Sequence, residues 1–224
     1  MFMYFAHELE ALGMNEPGSA LTHGIAAVLA PVILILLIIK AAFVGSAWHI
    51  VGVIIFGLTL MFTYSMSFSY HLVPKRYIRA KSIMQRLDHG SIYFLIAGTY
   101  TPICLTVLRG PLGWSLFGVV WALCITGSVL KFSGVHMPNW LTPIVYIALG
   151  WIAAIAIMPL YYALSIHGIY WLVGGGLAYT VAVIFFALED YIPRTKWWGM
   201  HEIFHLFIML GTLMHIVLIW KYIL

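Results

Sequence analysis

From Gly199 to Tyr222 the chain reads GMHEIFHLFIMLGTLMHIVLIWKY. A helix needs about 20 mostly apolar residues to cross the hydrocarbon core of a bilayer. This stretch has that length, with no Asp, Glu, Lys or Arg between Glu202 and Lys221. It reads as a membrane-spanning helix, because a lipid-exposed segment must satisfy its own backbone hydrogen bonds. His201 and His205 sit at its start, four residues apart and so on one helix face. Ionisable groups at a membrane edge are costly, which makes such a pair a candidate functional site.

The rest of the chain is of the same kind. Its 224 residues are 63% hydrophobic and only 8% charged, with a mean hydropathy of +1.02. Soluble domains are roughly 45–50% apolar, so this is an integral membrane protein. The expectation is an all-α bundle of seven transmembrane helices: a short segment over 1–18, then a single membrane domain over 19–224. Spans are expected at Ser19–Ala42, Trp48–Leu72, Asp88–Leu108, Leu112–Lys131, Asn139–Leu164, Ile169–Leu188 and Gly199–Tyr222. The breaks between them hold turn residues and charge, as in Gly45-Ser46, Pro74 to Arg86, Arg109-Gly110-Pro111 and Glu189 to Lys196. Pro31, Pro102, Pro143 and Pro159 fall inside spans, where neighbouring helices can satisfy the freed carbonyls.

Charge sets the orientation. With seven spans, one side carries Lys75, Arg76, Arg79, Lys81, Arg86, Lys131, Arg194 and Lys196, eight in all, and the other only Lys40, Arg109 and Lys221. Positive charge stays inside, so a cytoplasmic N-terminus and an external C-terminus are expected, in the plasma membrane. The net charge of +4 belongs to this bias, and nucleic acid is not an expected partner. Cys104 and Cys124 lie within spans and read as reduced packing residues. Met1 to Asn15 has Glu8 and Glu10 but no Lys or Arg, so it does not read as a signal peptide.

That topology gathers the polar residues. His71 ends the second span, Asp88 opens the third, and His201 and His205 open the seventh, so all four are expected at the cytoplasmic boundary. Between Glu16 and Glu189, Asp88 is the sole carboxylate. Three imidazoles and one carboxylate suit a catalytic zinc with an open position. His71, His201 and His205 would be the ligands, with Asp88 a further ligand or the group that holds and deprotonates a water. Ser67, one turn before His71, would orient the water, a substrate carbonyl or an oxyanion. The bland alternative is a set of interhelical hydrogen bonds. His23 and His89 could support the ligands. His215 lies about 15 Å deeper than His205 at 1.5 Å per residue, too far for the same ion, and suits an interhelical hydrogen bond or a polar cavity. His7, His49, His136 and His167 receive no role.

His201-Glu202-Ile203-Phe204-His205 also matches HExxH, the zinc-peptidase helix with Glu as base. In an intramembrane metalloprotease, however, an Asp from a later span completes the site. Here Asp88 comes earlier and His71 has no place, so Glu202 reads as a solvated helix-start acid favoured by the dipole. A retinal protein would need a buried lysine in the last span, where the only lysine is Lys221 at the far end.

Four blocks resemble a known family: Ser67 to His71, Leu87-Asp88-His89-Gly90 through Pro102, His201-x3-His205-x5-Gly211-x3-His215, and Glu16 with Thr22-His23-Gly24. Together they resemble the hemolysin III branch of the PAQR family, whose animal members include adiponectin and progestin receptors. The likeness runs from Glu16 to the end of the chain. Ser19 departs from bacterial relatives, which often have Asn there. The resemblance implies a seven-helix bundle with zinc held by His71, His201 and His205 and a water beside Asp88. The wider superfamily includes alkaline ceramidases, which share the Ser, His, Asp and HxxxH elements. The implied activity is zinc-dependent hydrolysis of a lipid amide or acyl bond, with a membrane lipid or fatty-acyl substrate. The alternative is a non-enzymatic sensor or regulator of the membrane with structural zinc. Lysis would be secondary in either case.

Overall fold

The computed structural model describes residues 16–135, 137–138, 140–193, 195 and 197–224. The acidic segment with Glu8 and Glu10, and His7, His136, Asn139, Arg194 and Lys196, lie outside the described residues. Among those described there are seven helices long and apolar enough to cross a membrane, and no strand. They are α1 (Pro17–Val44), α2 (Ala47–Leu72), α3 (Ile78–Val107), α4 (Pro111–Phe132), α5 (Leu141–Ala163), α6 (Ile166–Leu188) and α7 (Met200–Ile223).

The turns follow from local chemistry. Gly45 ends α1 at φ +79°, a left-handed position that favours glycine, and the Ser46 hydroxyl then accepts from the Trp48 N–H to cap α2. Pro111 opens α4, where a missing N–H costs nothing. Ser165 caps α6 by accepting from the Gly168 N–H.

One boundary differs from the hydropathy reading. Asp88 does not open its helix: α3 starts ten residues earlier, at Ile78. Arg79, Lys81 and Arg86 are good helix formers that lower mean hydropathy without breaking the helix. Apolar runs mark the crossing, not the helix end. The extra turns let Lys81 reach back to the Glu16 carboxylate at 2.8 Å and the Tyr70 carbonyl at 2.9 Å.

α3 is the most buried span, flanked by α2 and α4, and α1 closes the bundle by packing on both α2 and α7. The main apolar core runs through Phe56, Tyr93, Ala97, Tyr100, Cys104, Val120 and Cys124. Both cysteines are buried and free. Outward faces carry large apolar side chains such as Val28, Ile35, Phe43 and Tyr162, as a lipid-facing surface does. Small residues allow the close approaches. A Cβ on Gly98 would overlap Thr59 of α2, and one on Gly127 would run into the Tyr93 ring.

α5 is the exception to regular helix. It tightens into a 3-10 stretch at Trp151–Ala156, which strands backbone groups that lipid cannot satisfy. Tyr100 serves them. Its hydroxyl donates toward the Leu149 and Gly150 carbonyls (3.0 and 2.7 Å) and accepts from the Ala153 N–H at 2.8 Å.

Candidate metal centre

The end of the bundle near His71 holds the polar residues. His71 is in the last turn of α2, and His201 and His205 are in the first two turns of α7. Their rings face one another, with centroids 4.6–5.1 Å apart. One ring nitrogen from each lies within 4.8 Å of the others, and these three can hold a metal ion. His71 and His205 are buried and His201 partly so.

Each ring is fixed from outside by a different element. His71 Nδ1 lies 3.0 Å from Glu16 Oε2, just ahead of α1. His201 Nδ1 lies 2.7 Å from Glu189 Oε2, just past α6. His205 Nδ1 lies 3.0 Å from Thr22 Oγ1 on α1. A carboxylate only accepts, so Nδ1 of His71 and His201 carries the proton. The Thr22 hydroxyl is committed to the Gly18 and Ser19 carbonyls (3.1 and 3.0 Å), so its oxygen accepts from His205 Nδ1–H. In each neutral ring Nε2 is then a bare lone pair. His71 Nε2 and His201 Nε2 face each other at 3.3 Å, a separation that either one shared proton or one metal ion would bridge.

Glu16 is more than a partner for His71. Burial raises its pKa, but hydrogen bonds and charge from His71 and Lys81 outweigh that and hold it well below the usual carboxylate value. It stays ionised, as an acceptor for His71 must.

Asp88 and Ser67 border the same space. Asp88 is buried and is not part of the three-nitrogen set. The Ser67 hydroxyl lies 2.7 Å from His23 Nδ1 and lines the cavity together with Asp88. His23 also stacks on His205, with centroids 3.5 Å apart and planes 10° from parallel. His89 lines the cavity away from the trio, its ring nearest Phe186.

Glu202 departs from the sequence reading. It is not solvated but fully buried. One oxygen accepts from Ser19 Oγ at 2.6 Å and the other from the Gly199 N–H at 2.7 Å. Glu202 therefore ties α1 to α7 and caps α7, and Ser19 gains a definite partner. This leaves the HExxH match without its base.

A cavity of about 1640 Å³ opens from this cluster into the bundle. Glu16, Ser67, His71, Asp88, His201 and His205 line its polar end. Further in it is bordered by Ile96, Tyr100, Ile103, Trp151, Leu172 and Val173, a mostly apolar wall. Glu16, Thr22 and Glu189 are the site residues that the sequence did not reveal as partners. Glu16 and Thr22 stood only in a block carrying the family resemblance, and the further hint was position, since the two acids stand immediately outside the first and sixth helices.

The family model for haemolysin-III related proteins matches residues 13–216. The chain belongs to this family. It is 38% identical to Hemolysin-3 of Bacillus cereus over 210 residues, covering 94% of this chain and 92% of that protein. It is 40% identical to the Hemolysin-3 homolog of Bacillus subtilis (strain 168) over 198 residues, covering 88% and 89%. A more distant relative is the human monocyte to macrophage differentiation factor, 27% identical over 197 residues, covering 83% and 79%. In this haemolysin III protein the matched segment takes in all three histidines, Asp88 and Ser67.

Proposed function

We propose that this membrane protein is a zinc-dependent hydrolase of lipid amide or acyl bonds, sited at the cytoplasmic face of the plasma membrane. The observation that carries the proposal is the convergence of one ring nitrogen from each of His71, His201 and His205 at the polar end of an apolar cavity of acyl-chain scale. Three neutral imidazoles favour a borderline ion such as zinc over a hard cation. A tetrahedral ion with Zn–N of about 2.0–2.1 Å has ligand nitrogens roughly 3.3 Å apart. The His71–His201 separation of 3.3 Å fits that edge. Carboxylate partners on two ligands are the outer support such sites use. Bound zinc would supply Lewis acidity, polarising an acyl carbonyl and acidifying a water beside it.

The chain's own residues supply the rest. Asp88, outside the ligand set, accepts the proton from the attacking water and returns it to the departing amine or alkoxide. Ser67, held by His23 Nδ1 at 2.7 Å, stands beside Asp88 to orient the reacting carbonyl. The apolar wall holds the hydrocarbon and keeps bulk water out. A structural staple needs no such space, so the cavity at the site favours turnover over the sensor reading. The Lys and Arg bias supports the cytoplasmic placement.

The test is metal analysis of purified protein followed by product analysis on a panel of ceramides, other N-acyl lipids and ester lipids. About one zinc per chain and metal-dependent release of free fatty acid are expected. Zinc-loaded protein that turns over no lipid in the panel would rule out the hydrolase and leave the sensor. Loss of zinc in a His201→Ala/His205→Ala double variant checks the ligand set.

A further inference from the structure

His215 lies ten residues beyond His205 on the same continuous helix, about 15 Å further along the cavity at 1.5 Å per residue. It belongs to no ligand set, yet its surroundings are built. Its ring stacks on Tyr179, with centroids 5.4 Å apart and planes 10° from parallel, and its other face lies against Gly175, where a Cβ would collide with the ring. Nδ1 lies 2.8 Å from the Gly211 carbonyl. A carbonyl only accepts, so Nδ1 carries the proton and Nε2 of the neutral ring is an acceptor. His215 is 95% buried, and no hydrogen bond to Nε2 is formed among the described residues.

Neighbouring polar groups do not need it. Tyr64 donates to Thr212 Oγ1 at 2.8 Å, and Thr212 and Tyr179 share a bond of 2.9 Å. Thr99 gives its own proton to the Leu95 carbonyl at 2.8 Å. His215 Nε2 keeps an unused lone pair that is reachable from the cavity, whose lining also includes Thr99, Tyr100, Ile103, Val173 and Tyr179. A ligand in the cavity that carries an O–H can complete it.

We infer that His215 is a second recognition point for the lipid, accepting a hydrogen bond from a hydroxyl carried about 15 Å along the chain from the reacting bond. The protein would thereby select hydroxylated chains over plain ones. The inference rests on the reading of the cavity as a lipid-chain site, but requires no hydrolysis.

The probes are octadecanoic acid and isomers hydroxylated near the head, at mid-chain and near the tail, with binding measured to purified protein in nanodiscs. The mid-chain isomer should bind about three- to tenfold more tightly than the plain acid, the range of one neutral hydrogen bond. His215→Phe keeps the stack on Tyr179, so it should bind the plain acid as wild type does and lose the preference. Equal affinity of all isomers for wild type would mean that water alone serves Nε2, overturning the assignment. So would a preference that survives in His215→Phe. Failure of even the plain acid to bind would remove the lipid-chain reading itself, and is recognisable because no isomer then binds.

Discussion

Among single residues, acids that look alike in the sequence divide by which atoms they meet. Asp88 borders the reaction space with Ser67 as its ordered neighbour, whereas Glu202 spends both oxygens on Ser19 and the Gly199 N–H. Asp88→Asn is therefore expected to lower lipid turnover by about 10²–10⁴, the usual scale for a lost general base, while zinc content stays near wild type. Full turnover in that variant would end the proposed role. Glu202→Gln should leave zinc in place and instead cost about 1–3 kcal/mol of stability, because the amide keeps one acceptor oxygen where the carboxylate serves both Ser19 and Gly199; a thermal melt in detergent reads this. Glu189→Gln removes the negative charge from the acceptor that fixes His201 and should weaken zinc by roughly 10–100-fold in a chelator competition, with little change in melting. The clustering of His201 and His205 was readable from sequence, since an i, i+4 pair on an apolar helix is a local pattern. Thr22 was not, because its role depends on α1 lying against α7, a contact between residues 183 apart.

The elements show where hydropathy stops being informative. It found every span, because seven long apolar runs separated by Gly, Pro and charge leave little else to choose. It misplaced the start of α3, where a basic helical extension resembles a loop to any average of apolarity. It also took Asn139–Leu164 as one span without showing that its middle would tighten at Trp151–Ala156. That irregular stretch depends on a partner from another helix. Tyr100→Phe is expected to leave the Ala153 N–H and the carbonyl at Leu149 or Gly150 unserved, at about 1–3 kcal/mol. Hydrogen exchange should rise along α5 more than along α2 or α4. Unchanged exchange there would mean that α5 holds its own geometry.

For the whole molecule, orientation is the property on which the placement of the site depends. Lys40 donates to the Trp220 carbonyl and sits over its ring, and Arg109 lies over Trp48, so all four of these residues mark the end of the bundle away from His71. The five basic residues from Lys75 to Arg86 stand at the histidine end. Single cysteines at Arg79 and at Tyr222 should be labelled from opposite sides of an intact cell, Tyr222 from outside. Labelling of both from one side would overturn the proposed topology.

The connection of α1 to α7 also has a consequence for how the protein comes into being. During synthesis His71 and Glu16 enter the membrane early, and their counterparts His201, His205 and Glu189 arrive only as translation ends. Until the last helix docks on the first, the cell holds a bundle with one isolated imidazole and no place for an ion. On the proposed zinc reading, loading would be a late event that follows completion of the chain, and a truncated or misinserted product would have no means of acquiring the metal. Occupancy would serve the cell as a certificate that all seven helices are in place.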